Sequence, residues 1–349
     1  GYGMVWYGMV VAQKSSQRVV SSIPKYSLPY TTILSQFDLS YNISSIVSTA
    51  FPRGSSSKNM TSKTSEESLS STSPIIVHSI PGSQFVAKVL SALQHRKIPH
   101  FVKAVPLDKK QRVKVIPSGG LLVPEIKVGT GESALIVSGS ENILQWIDKN
   151  FPQAQLYPKE SSLASELSVR ASDSKLAGFV WYYNWVNPKG FSRSILHLLR
   201  GALLPSWLSF LVPDFVLALA LQSEKAKFRR QACQAIFGFE EDPALDDETR
   251  MQSILVEELM YFQSQLSPEN GKLYMMSSAQ PTAADFSIYP QLERLVGDKE
   301  GSSYDVGLEP ALPELLEMDS LQRLWKWHSL MRQTCPVQFK GKKPPPELV

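Results

Sequence analysis

Residues 121–139 read LLVPEIKVGTGESALIVSG. Two apolar, β-branched runs flank residues 129–132, GTGE, a glycine-bearing turn signal, so the segment predicts a β-hairpin. Pro124 is unwelcome inside a central strand, because it brings no N–H to the ladder. It fits at a strand's start, particularly as a cis peptide in a tight bend. Upstream, residues 75–80, IIVHSI, form a short apolar strand. They lead through a Pro–Gly–Ser loop into residues 83–97, where Phe85, Val86, Val89, Leu90 and Leu93 fall on one helical face. Residues 100–107, HFVKAVPL, read as a second strand, and the polar stretch to Gly120 holds a short, irregular helix. Downstream, SENILQWIDKNF at 140–151 closes the unit as a helix with Ile143, Leu144 and Ile147 inward. The order is βαβ–ββα over residues 74–150.

Residues 151–160, with Pro152 and Pro158, read as a linker. Beyond them, over 161–340, the period is helical and no convincing strand is found. Residues 162–188 predict one long helix ending before Pro188. Further helices are expected at 248–266 and 320–333, and another at 281–296, where Thr282 stands three residues before Asp285 as a capping box. Residues 341–349 are a tail. The segment 202–221, ALLPSWLSFLVPDFVLALAL, is nearly long enough to span a bilayer, but Pro205, Pro213 and Asp214 interrupt it. It reads as a buried, Pro-broken pair of helices, and membrane association is not expected.

Composition narrows the function classes. At 349 residues, 43% hydrophobic and 19% charged, the chain can bury a large core. Of the net charge of +4, most lies in residues 1–73, which carry six cations against three anions; the remainder is balanced and shows no basic stripe suited to nucleic acid. Residues 1–73 also hold 19 serines and no sustained period, the composition of a disordered leader or an organelle transit peptide. VSTAFPRG at 47–54 resembles a plastid-targeting cleavage context. The expected localisation is therefore a plastid or mitochondrion after removal of the leader, and otherwise the cytoplasm. Cys233 and Cys335 lie far apart and outside any CxxC, which suits a reducing compartment. The five histidines have no metal-ligand spacing, so no metal is expected, and His78 reads as a satisfied structural histidine in a strand.

Four pieces at consistent spacings carry a family resemblance over about 74–340. PGSQFVAKV (81–89) is similar to a loop–helix segment of the type SPFxxKV, VPEI (123–126) to VPxL, GSENI (139–143) to [ED]SxxI, and PTAADF (281–286) to a buried capping-box segment. Together they resemble the glutathione transferases. The resemblance implies fold class α/β plus all-α: a thioredoxin-like domain followed by a helical bundle. It places Ser83 on a catalytic Ser or Cys position and Pro124 on a cis-proline. Val123 would offer its backbone to the cysteinyl part of glutathione, and Ser140, with Glu141 beside it, would meet the γ-glutamyl carboxylate. Glutathione is then the co-substrate, a small apolar electrophile the second substrate, and a homodimer the family's common assembly. Part of the aromatic run at 179–185 would line the electrophile's side.

The physics of these roles stands apart from the name. A thiolate beside a helix N-terminus meets unpaired N–H groups and partial positive charge. A Ser83 hydroxyl would add one charge-assisted bond of roughly 1.5–3 kcal/mol, comparable to the roughly 1.4–2.7 kcal/mol that lowers a thiol pKa by one to two units. Ser83 and Ser140 are equally good N-caps. Departures from the family pattern also count. Gly139 replaces an acid, and Leu121 and Leu122 replace polar residues before VPEI. No sulfur stands at Ser83 or Val86, which excludes thiol–disulfide exchange by this loop. The alternative readings are a non-catalytic binding or scaffold protein that keeps the fold with a degenerate glutathione site, and a membrane-associated relative anchored by 202–221.

Overall fold

Strand β1 (Ile75–Ser79) is buried along its whole length, as a continuous apolar run at the centre of a sheet should be. It pairs in parallel with β2 (Phe101–Ala104) and antiparallel with β3 (Glu125–Val128), which pairs antiparallel with β4 (Leu135–Ser138); the order is β2-β1-β3-β4. The computed structural model describes residues 73–106, 109–158, 162–196, 218–219, 221–266, 273–276, 278–298, 304 and 309–345. The leader through residue 72 and most of the apolar segment at 202–221 lie outside them. Among the described residues, no helix is long and apolar enough to cross a membrane.

The strand alternation assigns the two faces of the sheet. Ile75 and Val77 join the main core with the apolar faces of α1 (Gln84–His95) and α3 (Ser140–Asn150). Ile76 and His78 turn to the other side, toward the seven-residue helix α2 (Lys109–Val115). Arg112 of α2, fully buried, donates to the Pro106 and Leu121 carbonyls and so ties down the loop that leads to the cis peptide between Val123 and Pro124. The open edge of β2 is covered by the returning C-terminal segment, where the Val102 N–H donates to the Lys342 carbonyl at 2.9 Å.

The expected long helix over 162–188 is two helices, α4 (Leu163–Ser172) and α5 (Lys175–Trp181). The break falls at Asp173 and Ser174. Ser and Asp side chains compete for backbone hydrogen bonds and favour helix ends, and periodicity alone had bridged them. After α5 the chain widens into a turn closed by the Asn187 N–H on the Tyr182 carbonyl. Then follow α6 (Gln222–Phe237), α7 (Glu248–Ser264), α8 (Ala283–Val296) and α9 (Gln322–Thr334). Helix α8 is buried at every position and packs against both α4 and α1, so it joins the helical half to the sheet half. Its capping box is present. The fully buried Asp285 carboxylate also accepts from the Met275 N–H and from Trp327 Nε1 of α9.

Candidate functional site

A cleft of about 880 Å³ opens between the sheet domain and the helices, within the usual size of small-molecule sites. From the sheet side it is walled by Phe85 at the start of α1, by Leu122, Val123 and Pro124 ahead of β3, and by Gly139, Ser140 and Glu141 at the start of α3. From the helical side come Asp173 and Ser174, in the break between α4 and α5, then Trp181, and then Lys227, Arg230 and Gln231 of α6. The break absent from the sequence reading thus supplies part of the site's rim.

Each sheet-side group has a local cause. Among the described residues no group hydrogen-bonds the Val123 backbone N–H or C=O, and its neighbour Leu122 is 39% exposed. An extended main chain with unused groups at a cleft wall can pair with a peptide as an added strand would. Gly139 precedes α3 with φ +90° and carries no capping side chain. The first turn of α3 therefore presents free N–H groups, and the Ser140 hydroxyl has no partner among the described residues. An open helix end of this kind favours negative charge.

Glu141, at the same cleft wall, is held by internal partners. Its Oε2 meets the Lys88 ammonium at 2.6 Å and the Ser168 hydroxyl at 2.6 Å, and its Oε1 accepts from the Tyr157 hydroxyl at 2.6 Å. Burial pushes this carboxyl up, but the Lys88 charge and the hydrogen bonds of Lys88, Ser168 and Tyr157 outweigh it and hold it below its ordinary value. Lys88 also donates to Ser172, so this network clamps α1 and α3 to α4.

Ser83 does not line the cleft. It is 3% exposed, and its hydroxyl accepts the Val86 N–H at 3.5 Å as the N-cap of α1. Of the two readings open for Ser83, its placement is that of the cap, and Phe85 takes the adjoining stretch of wall. The structure brings Val123, Pro124, Ser140 and Glu141 together around one cavity and leaves Ser83 behind it. Sequence reasoning missed Lys227, Arg230 and Gln231. The signal available was the polar face of α6, which carries no recognisable motif. The Gln231 amide and the Trp181 indole N–H are buried without hydrogen-bond partners among the described residues, so the helical wall still holds polar groups to satisfy.

Residues 77–155 match the family model of the glutathione S-transferase N-terminal domain. The match covers less than a quarter of the chain, the part that holds the sheet. With the mostly helical region that follows it, the chain has the glutathione transferase fold. Three solved structures illustrate the likeness. A delta-class glutathione transferase of Nilaparvata lugens is 15% identical, with 75% of this chain and 90% of that one covered and a TM-score of 0.40. A glutathione S-transferase of the Antarctic clam Laternula elliptica is 17% identical, with 79% and 98% covered and a TM-score of 0.40. FzlA from C. crescentus is 17% identical, with 79% and 97% covered and a TM-score of 0.45. No curated protein sequence matches the chain.

Proposed function

We propose that the protein binds glutathione in this cleft and presents its thiol to a small apolar electrophile held against Phe85 and Trp181. The observation that carries the reading is the unused Val123 main chain, set in the same cavity as the open N-terminus of α3. The tripeptide's cysteinyl backbone would lie along Val123, with its γ-glutamyl carboxylate on Ser140 and the α3 N–H groups. The thiol would then fall toward the start of α1, where the helix end favours a thiolate. The carboxylate of Glu141 belongs to the clamp with Lys88. It orders the first turn of α3 rather than receiving the ligand.

The buried position of Ser83 favours a second reading, in which glutathione is bound and not turned over. The two are separated by titrating the full chain calorimetrically with glutathione and assaying conjugation in parallel. Saturable binding, weakened about tenfold in Ser140→Ala by loss of one charge-assisted hydrogen bond, is expected. Turnover that falls in Ser83→Ala, with a raised pH midpoint for thiolate formation, marks a transferase. Binding without turnover in the unaltered protein marks a binding module. No heat at millimolar glutathione from folded protein removes both readings.

A further inference from the structure

The outer face of the sheet holds a second cavity, of about 550 Å³, on the side opposite α1 and α3. The strand register explains its lining. His78 of β1 is paired with Lys103 of β2, and Ile76 of β1 with Lys127 of β3, which in turn faces Ile136 of β4. Both lysines therefore rise on the same face from the two strands flanking β1, beside an apolar floor of Ile76 and Ile136. Helix α2 covers only one side of this face, contributing Val113 and a third cation, Lys114. Among the described residues none of these three lysines has a carboxylate partner. Glu132 is the only acid in the lining among the described residues. Glu125, on the same face, is spent on the Ser118 N–H and the Ser138 hydroxyl.

Lysines on a half-exposed face ordinarily only solvate it. His78 is the independent observation. It is 2% exposed, it lines this cavity, and its Nδ1 has no hydrogen-bond partner. The satisfied structural histidine expected from sequence is thus in its strand with Nδ1 left over, because its register neighbours are Lys103 on β2 and, on β3, Glu125, whose carboxylate is taken by Ser118 and Ser138. A buried imidazole nitrogen without a partner is uncommon and destabilising unless something completes it. Burial first, and then the Lys103 charge, outweigh an opposing contribution from the Glu125 backbone and lower the His78 pKa to about 4, so at neutral pH the ring is uncharged and, in the tautomer protonated at Nδ1, can donate one hydrogen bond. Burial and the Lys127 charge likewise lower Lys103. An anion in the cavity would relieve both.

We propose that this cavity is a binding site for a phosphomonoester with an apolar body, independent of the glutathione cleft. Three ammonium groups from three separate elements match the three terminal oxygens of a phosphate better than the two of a carboxylate. Ile76, Ile136 and Val113 receive the body, and His78 hydrogen-bonds a phosphate oxygen at the floor.

The test is calorimetric titration of the full chain, at low ionic strength, with phenyl phosphate, inorganic phosphate and benzoate. Saturable binding is expected in the order phenyl phosphate, then inorganic phosphate, then benzoate. Lys103→Gln and Lys127→Gln, both at half-exposed positions, should each weaken phenyl phosphate about tenfold. Neither should change glutathione binding, and Ser140→Ala should leave phenyl phosphate binding as it is. Absence of saturable binding overturns the proposal, as does equal affinity for benzoate. So does an equal loss in Lys326→Gln, which lies on α9 away from the cavity.

Discussion

Asp285→Ala lowers the unfolding free energy by about 3–5 kcal/mol, the largest effect expected of any single substitution in the chain. The carboxylate is fully buried and accepts four hydrogen bonds: from the Met275 N–H at 2.9 Å, Trp327 Nε1 at 2.9 Å, and the Thr282 N–H and hydroxyl at 2.8 Å each. Truncation removes the carboxylate half of the α8 capping box and strands several donors where water does not reach. Because α8 packs on both α4 and α1, its loosening is felt in both halves of the molecule. Asp285→Asn keeps an acceptor oxygen and should recover a good part of the loss. Chemical denaturation of the three proteins measures this; an Ala variant within 1 kcal/mol of the parent would mean that α8 is not the organising helix.

Lys88→Met is expected to cost about 3 kcal/mol, toward the low end for breaking a buried pair. Lys88 is 1% and Glu141 17% exposed, and the surviving Ser168 and Tyr157 donors soften the loss. The double variant Lys88→Met/Glu141→Gln should regain most of the stability, since the uncompensated charge is then gone. The pH dependence follows in sign. The Glu141 carboxyl is held below its ordinary value of 4.5 in the folded protein. Its contribution is therefore complete above that value and is lost as pH falls from there through the depressed folded pKa. Lys88→Met should flatten this acid limb, as read from denaturation midpoints across the window. An unchanged acid limb would place the clamp's contribution elsewhere.

Much of the sheet domain was legible because its signals are local. Strand-length apolar runs, the turn at 129–132 and the proline ahead of β3 each follow from two or three neighbouring residues. The Thr282–Asp285 cap was readable for the same reason. The break at Asp173–Ser174 was not, because apolar positions on either side keep the helical period through it. Lys88 was opaque for a different cause: a lysine in a helix reads as a solvated face until a distant helix supplies Glu141, Ser168 and Ser172. The cations of α6 belong to the stretch with the least motif content. Ser83 had two compatible readings from sequence; the cap is present, and contact with a thiolate is left to the Ser83→Ala assay. The orphaned nitrogen of His78 depends on which residues the register sets beside it, and a single strand's pattern does not contain that.

Val123 is proposed to read the glutathione backbone. Amide hydrogen exchange of the full chain, with and without saturating glutathione, tests it at one residue. Protection of the Val123 amide, together with amides in the first turn of α3, is the predicted result. Binding with no change at Val123 would contradict it and move the ligand out of this cleft.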